Sequence, residues 1–131
     1  MIVVDASVMA NMLVYADDRG RNARTALARD MEWAAPEHWK AEVFSVIRGL
    51  VLGGKLREAQ AFRAISRLHY LGVDNVSLDF LLPAMWQMRA RIGAYDAPYV
   101  ALARERGLTL VTSDGGLARA ATDYCRVELV R

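Results

Sequence analysis

Residues 2–8, IVVDASV, change character at a single acidic residue. Ile2–Val4 is a short apolar run of mostly β-branched residues, which is typical of a buried strand. Asp5 ends this run, and residues 6–15 then carry apolar side chains at helical spacing. The stretch therefore predicts a strand, an acidic side chain at its carboxyl end, and a helix that leads away from it.

The alternation of strand and helix continues along the chain. Apolar or extended segments predict further strands at residues 32–36, 73–76, 108–111 and 127–130. The remaining segments predict a turn at residues 17–20 and helices at residues 22–30, 37–52, 56–71, 96–106 and 117–121. A further helix is expected to begin at an N-cap, either Ser77 or Asp79, and to reach residue 91. Strands that alternate with helices favour an α/β fold whose parallel sheet is covered on both faces.

Composition fits one globular domain over residues 1–131. The chain is 54% hydrophobic, which is enough for a full core. Its one cysteine, Cys125, cannot form an internal disulfide, so we expect a reducing, cytoplasmic environment. Asp5 and Asn11 interrupt the first apolar run, which also lacks a basic start, and we therefore expect neither a signal peptide nor a membrane span.

Four acidic residues stand where such a fold could bring them together: Asp5, Glu42, Asp96 and Asp114. Ligand sites in open parallel sheets lie beyond the carboxyl ends of the strands. Asp5 ends the first predicted strand and Asp114 follows the strand at residues 108–111, so both belong to that edge. Clustered carboxylates repel one another, and their hard oxygen atoms suit Mg²⁺ or Mn²⁺.

Simpler roles exist for each acid. Asp5, Asp96 and Asp114 each precede a predicted helix, and an Asp N-cap stabilises a helix by ~1 kcal/mol. For any one of them alone, capping is the better interpretation. Glu42 lies inside its helix, where a solvated Glu beside the apolar stripe is ordinary.

Other chemistry is sparse. His38 and His69 lack the spacing of a zinc site, and no glycine-rich phosphate loop is present. The hydroxyls of Ser7 and Thr112 adjoin the acids, where they can orient a carboxylate or bond the local backbone. We expect the three tryptophans to lie in the core, with Trp39 also near enough to Glu42 to line a site: Trp33, Trp39 and Trp86.

The net charge of +2 conceals an uneven distribution. Without the four candidate acids the balance is +6, from 17 cationic and 11 anionic residues. The cations are nearly all arginine, which suits phosphate contacts, although coding bias explains the preference equally well. Arg119, shortly after Asp114, is the best single candidate for such a contact.

Phe44, Val51 and Leu52 lie off the apolar stripe of their helix and either dock a partner or pack on the next helix.

Four motifs together resemble the PIN-domain ribonucleases, and among them the VapC-type toxins of bacterial type II toxin–antitoxin pairs. They are VVDASV (3–8), AEVFSVIRGL (41–50), AYDAPYVALARERG (94–107) and LVTSDGGLARA (110–120). The resemblance spans nearly the whole chain in the order and spacing of the family.

The resemblance implies a three-layer α/β/α sandwich with a mostly parallel five-stranded sheet. It implies an endoribonuclease that uses Mg²⁺ or Mn²⁺ to hydrolyse RNA phosphodiesters with water. Asp5, Glu42, Asp96 and Asp114 then become the catalytic, metal-binding quartet. Ser7 and Thr112 become supporting hydroxyls, and the charge balance, independently of the resemblance, makes Arg119 the candidate RNA contact. The implied assembly is a homodimer bound by a VapB-like antitoxin.

Two alternatives share the implied fold: a housekeeping PIN nuclease in RNA maturation, and a non-catalytic module that binds a protein partner. The intact quartet argues against the second. A receiver domain needs a second acid near Asp5 and a late lysine, but Ala6 and Ser7 follow Asp5 and no lysine follows Lys55.

Overall fold

The computed structural model describes residues 1–131 and confirms the α/β class. Its strands are β1 (Ile2–Val4), β2 (Trp33–Pro36), β3 (Val73–Val76), β4 (Leu110–Thr112) and β5 (Val127–Leu129). Its helices are α1 (Ala6–Val14), α2 (Asp18–Ala28), α3 (Trp39–Leu52), α4 (Glu58–Leu68), α5 (Leu82–Gln87), α6 (Ala97–Arg106) and α7 (Gly115–Ala121). A 3₁₀ turn, Leu78–Phe80, precedes α5.

The five strands form one sheet in the order β3-β2-β1-β4-β5, and every neighbouring pair is parallel. The central strand is β1, where Val3 lies opposite Ala34 on one side and Leu110 on the other. The chain moves outward from β1 to β3, then returns to the other side of β1 as β4. The gap between β1 and β4 is therefore the topological switch point, where open α/β sheets place their ligand sites.

Helices cover both faces of the sheet, as the three-layer prediction requires. Right-handed crossovers put α1 to α4 on one face and α5 to α7 on the other. In agreement, α1 contacts α2, α3 and α4, whereas α6 contacts α5 and the central strands. Every residue from Ala97 to Ala103 of α6 is buried, so this helix is a core element without a polar face.

The prediction for the start of α2 is wrong. We expected a turn at residues 17–20, but α2 begins at Asp18 and the Asp17 carboxylate caps it by accepting from the Arg19 amide at 3.1 Å. The missing side chain of Gly20 instead lets the backbone of α2 approach that of Tyr15, because a Cβ atom at position 20 would lie 1.7 Å from the Tyr15 carbonyl oxygen.

The helix predicted up to residue 91 is also shorter than expected. Ser77 rather than Asp79 provides the cap, and it caps the 3₁₀ turn. After α5 ends at Gln87, several amides bond the carbonyl three residues back, as the Arg89 amide does to Trp86. This short helix leaves Trp86 67% exposed, so its placement in the core is wrong. Trp39 is fully buried and Trp33 partly so.

The other boundaries differ from the predictions by a few residues. Helix α6 ends as predicted at Gly107, whose φ of 63° lies in the left-handed region. Strand β4 begins two residues later than expected and extends to Thr112, which brings that hydroxyl into the sheet edge. None of the helices combines the length and apolar character needed to cross a bilayer.

Candidate active site

The four candidate acids line one pocket at the carboxyl edge of the sheet. Its volume is about 440 Å³, and its wall includes Asp5, Glu42, Asp96 and Asp114. Asp5 follows β1 and Asp114 follows β4, on the two sides of the switch point. Helix α3 brings in Glu42, and Asp96 stands at the start of α6. Parallel pairing of β1 with β4 thus places side chains together that are far apart in sequence.

Asp5 is the most buried of the four, with 5% of its surface exposed. Its Oδ2 atom accepts hydrogen bonds from Ser7 Oγ at 2.6 Å and from Thr112 Oγ1 at 2.8 Å. Those hydroxyls also accept from backbone amides, since Ser113 N donates to Ser7 at 3.0 Å and Asp114 N donates to Thr112 at 3.0 Å. The two hydroxyls therefore orient the Asp5 carboxylate and connect β1 to the loop after β4.

Capping explains one acid and not two others. Asp114 Oδ1 accepts from the amides of Gly116 at 2.8 Å and Leu117 at 3.1 Å, which makes it the cap of α7. Asp5 and Asp96 occupy the N-cap positions of α1 and α6, but neither side chain makes a capping hydrogen bond. The capping interpretation is thus right for Asp114 and wrong for Asp5 and Asp96, whose carboxylates remain available to the pocket.

Glu42 has neighbours that sequence reasoning missed. His38 Nε2 lies 3.2 Å from Glu42 Oε1 and 3.1 Å from the carbonyl oxygen of Tyr95. The buried hydroxyl of Tyr99 is close enough to Glu42 to affect its pKa, but the pair lacks the geometry of a hydrogen bond. A signal for His38 was present, because four residues before Glu42 is the same face of a helix.

Three of the four carboxylates, those of Asp5, Glu42 and Asp96, sit in an environment that opposes their charge. Burial raises the pKa of Asp5, and the bonds from Ser7 and Thr112 offset part of that shift. The pKa of Asp96 rises to about 6, first through burial and then through the charges of Asp5, Asp114 and Glu42. Burial also raises the pKa of Glu42. No lysine or arginine forms an ion pair with any of the four.

This donor set fits a divalent cation. Carboxylate oxygens are the ligands that Mg²⁺ and Mn²⁺ prefer, and Glu42 Oε1 is buried without a hydrogen-bond donor. No three acidic, histidine or cysteine side chains converge closely enough to form a finished metal site. Mutual repulsion favours such separation, and a bound cation would offset it.

Arg119 lies at the same edge, on α7. Its guanidinium group covers the first turn of that helix, because a Cβ atom at Gly115 would stand 3.4 Å from Arg119 Nη1. Arg119 is exposed and forms no ion pair. Arg106, in contrast, pairs with Asp74 at 2.9 Å, away from the pocket. Arg119 therefore stays the candidate contact at this edge.

Comparisons with known proteins agree with the four motifs. Residues 2–123 match the model of the PIN domain family. Ribonuclease VapC3 of Mycobacterium tuberculosis is 39% identical over 91% of this chain and 86% of its own length. Ribonuclease VapC1 of the same organism is 35% identical over 98% of this chain and 97% of its own. The solved structure of FitAB bound to an IR36 DNA fragment superposes with a TM-score of 0.71 at 17% identity, over 98% of this chain and 94% of that one. The chain therefore belongs to the PIN-domain family and, within it, to the VapC-type ribonucleases.

Proposed function

We propose that residues 1–131 form one nuclease domain that hydrolyses RNA phosphodiesters and acts as the toxin of a VapBC-type pair. One observation carries the proposal: four carboxylates without a lysine or arginine partner line a single pocket at the switch point. Relatives named as VapC ribonucleases, which the chain matches over most of its length, support the choice of RNA as substrate.

The acids would hold Mg²⁺ or Mn²⁺, and the protein's own groups would prepare the site. Asp5, Glu42, Asp96 and Asp114 are the proposed ligands. When bound, such an ion lowers the pKa of water and stabilises negative charge on a phosphate. The hydroxyls of Ser7 and Thr112 hold Asp5 in one orientation. Helix α7 holds Asp114 through its first-turn amides.

Water rather than a protein side chain is the proposed nucleophile. Ser7 Oγ, the hydroxyl nearest the acids, donates to Asp5 and accepts from the Ser113 amide. The carboxylate that accepts its proton, Asp5, is a proposed metal ligand, and no histidine is among its partners, so Ser7 lacks the histidine base that activates a serine nucleophile. Hydrolysis by water at a carboxylate-bound cation needs neither a serine nucleophile nor a histidine base.

Metal removal is the direct test of the reaction. Purified protein should cleave single-stranded RNA in Mg²⁺ or Mn²⁺ and lose that activity in excess chelator, and added Mn²⁺ should restore it. Calorimetric titration with Mn²⁺ alone should show binding to the unmodified protein and not to Asp96→Asn. Full cleavage in excess chelator would contradict the proposed cofactor.

The antitoxin is proposed to dock on the α3–α4 hairpin. Phe44 and Leu52 of α3 are 52% and 68% exposed, and Phe62 of α4 is exposed as well. Val51 packs against the core, so only two of the three side chains singled out from the sequence remain free. Ser45 and Val46 of α3 also line the acidic pocket. An antitoxin segment that extends from the hairpin can therefore reach the acids with a basic side chain.

Co-purification separates this docking from the alternatives. Phe44→Glu should weaken capture of a VapB-like antitoxin, because it adds a charge to an apolar contact. Tyr70→Glu is the matched control, since Tyr70 is an exposed aromatic outside the hairpin. Equal capture by the two variants would contradict docking, and the absence of any antitoxin would favour a housekeeping nuclease. Light scattering tests the proposed homodimer.

A further inference from the structure

His38 lies between the two chain segments that bring Glu42 and Asp96 to the acidic pocket. It stands at the N-cap position of α3, one helical turn before Glu42, and only 18% of its side chain is exposed. Its Nε2 atom lies 3.1 Å from the carbonyl oxygen of Tyr95, the residue before Asp96, and 3.2 Å from Glu42 Oε1. One ring nitrogen therefore faces both segments.

The partners of this nitrogen decide which tautomer the imidazole adopts. A carbonyl oxygen only accepts hydrogen bonds, so the contact with Tyr95 requires a hydrogen on Nε2. The same N–H group stands beside Glu42 Oε1, a buried oxygen that has no hydrogen-bond partner. Leaving a buried acceptor without a donor is costly, so the position of the Nε2–H group favours a Glu42 carboxylate that stays next to it.

Two aromatic rings hold the imidazole in this place. The centre of the Tyr99 ring lies 5.4 Å from that of His38 at an interplanar angle of 55°, and the Tyr95 ring lies 6.3 Å away at 44°. Tyr99 belongs to α6 and is fully buried, so the core itself supports one face of the imidazole. His38 makes no capping bond to α3, and its side chain is therefore not needed to start that helix.

We propose that His38 is a positioning residue, which ties Glu42 to the chain just before Asp96 and so fixes the separation of two proposed cation ligands. Glu42 keeps one oxygen beside the imidazole while its side chain, 27% exposed, lines the pocket. Mg²⁺ demands near-ideal ligand geometry, and groups that orient the ligands help to set metal affinity. The inference rests on the proposed metal site and adds a residue outside the quartet that determines how tightly the cation is held.

The geometry assigns His38 this role rather than that of a metal ligand. Its Nδ1 atom is buried, and its Nε2 atom carries the hydrogen that faces Tyr95 and Glu42. Neither nitrogen therefore presents a lone pair to the pocket. A histidine that binds a cation or takes a proton from water needs such a lone pair.

The affinity for Mn²⁺ is the primary test. Calorimetric titration with Mn²⁺ alone compares the unmodified protein with His38→Met and His38→Gln, two nearly isosteric changes of which only glutamine keeps an N–H donor. We expect His38→Met to weaken Mn²⁺ binding about tenfold to a hundredfold and His38→Gln to restore most of that loss. His69→Met is the matched control, because His69 is exposed at the end of α4.

Cleavage kinetics separate positioning from a general loss of fold. His38→Met should raise the Mn²⁺ concentration that gives half-maximal RNA cleavage by about the same factor, while the rate at saturating Mn²⁺ stays within about threefold of that of the unmodified protein. Partial unfolding would instead lower the maximal rate and leave the half-saturating concentration unchanged. Circular dichroism measures the folded fraction, and His38→Leu replaces His38→Met in the same comparison if the latter does not fold.

Each remaining outcome has a defined meaning. If His38→Met binds Mn²⁺ as tightly as His69→Met while the unmodified protein binds Mn²⁺ and cleaves RNA, the positioning role is overturned and the proposed function stands. Equal weakening by His38→Met and His38→Gln would also overturn it, because the N–H group would then have no effect. If the unmodified protein neither binds Mn²⁺ nor cleaves RNA, the proposed function and the positioning role fail together.

Discussion

At the amino edge of the sheet, Asp30 contacts the α-amino group of Met1 at 2.9 Å and Asp74 contacts Arg106 at 2.9 Å. At the carboxyl edge, Asp5 and Asp96 have no cationic partner. The pKa of Asp30 is lowered, first by a backbone hydrogen bond and then by the terminal amine, whereas that of Asp96 rises to about 6. One edge neutralises its acids and the other concentrates them, and this contrast supports the second edge as the proposed functional site.

Amide substitutions should produce the largest contrast between the two edges. Asp5→Asn, Glu42→Gln, Asp96→Asn and Asp114→Asn should each lower RNA cleavage by more than about a hundredfold, because each removes a charge that would hold the cation. Asn caps helices about as well as Asp, so α7 should survive the change at Asp114. Initial rates and circular dichroism measure the two effects separately.

Asp30→Asn and Asp74→Asn are the controls for these substitutions. Both remove one carboxylate of the same kind from the amino edge, so cleavage should stay near that of the unmodified protein. A folded quartet variant with full activity would remove that residue from the site. An inactive Asp74→Asn variant would break the contrast between the edges.

The supporting hydroxyls should have a smaller effect. Ser7→Ala and Thr112→Val each delete one hydrogen bond to Asp5 Oδ2, which leaves its carboxylate with only one orienting hydroxyl. We expect cleavage to fall about tenfold to a hundredfold, as is usual for groups that orient metal ligands. Thr112→Ser keeps the hydroxyl and should retain most activity. Equal rates for Thr112→Val and Thr112→Ser would show that the hydroxyl does not matter.

Stability against pH should show opposite signs at the two edges. The pKa of Asp96 is about 6 in the folded protein and about 3.9 in an unfolded chain, so the folded state holds more protons between those values. The free energy of unfolding therefore falls as pH rises from about 4 to about 6, and this contribution of Asp96 should vanish in Asp96→Asn. Solvent reaches part of the carboxyl group and weakens the effect.

Melting curves without divalent cations test this sign. Above pH 6, Asp96→Asn should melt on the order of 3 °C higher than the unmodified protein. Asp30 has a lowered pKa, so its stabilisation is present above the pKa of the unfolded chain and is lost as pH falls through the folded value. Asp30→Asn should accordingly melt lower near neutral pH. A lower melting point for Asp96→Asn above pH 6 would contradict the repulsion.

The smallest expected effect belongs to Arg119. Its loss should remove one phosphate contact and lower the slope of log affinity against log salt by about 0.7 for single-stranded RNA. The measurement uses Asp96→Asn protein and compares Arg119→Ala with Arg106→Ala, whose guanidinium pairs with Asp74 instead. Identical slopes for these two variants would leave Arg119 a solvated helix residue.

Local patterns predicted the strands and the helix that carries Glu42, because these follow from hydrophobic periodicity and chain punctuation. The four acids could be chosen because strand ends of a parallel sheet meet at one edge. The i, i+4 spacing could have placed His38 beside Glu42, but its contact with Tyr95 could not be foreseen, since that contact depends on how α3 packs beside the segment before α6. Gly20 suggested a turn, yet its small size serves a contact with Tyr15 that only the tertiary structure shows. Trp86 looked like a core residue because exposure of a large apolar ring is uncommon.

The hydrogen bond from Thr112 to Asp5 joins residues that are 107 positions apart. A growing polypeptide therefore carries the first acid from the start of translation and obtains its partner hydroxyl only after residue 112 has left the ribosome. Contacts between such distant parts of a chain form late, because loop-closure entropy opposes them. The carboxyl edge of the sheet, with its acids and supporting hydroxyls, therefore cannot be complete on a nascent chain until Thr112 and Asp114 have left the ribosome.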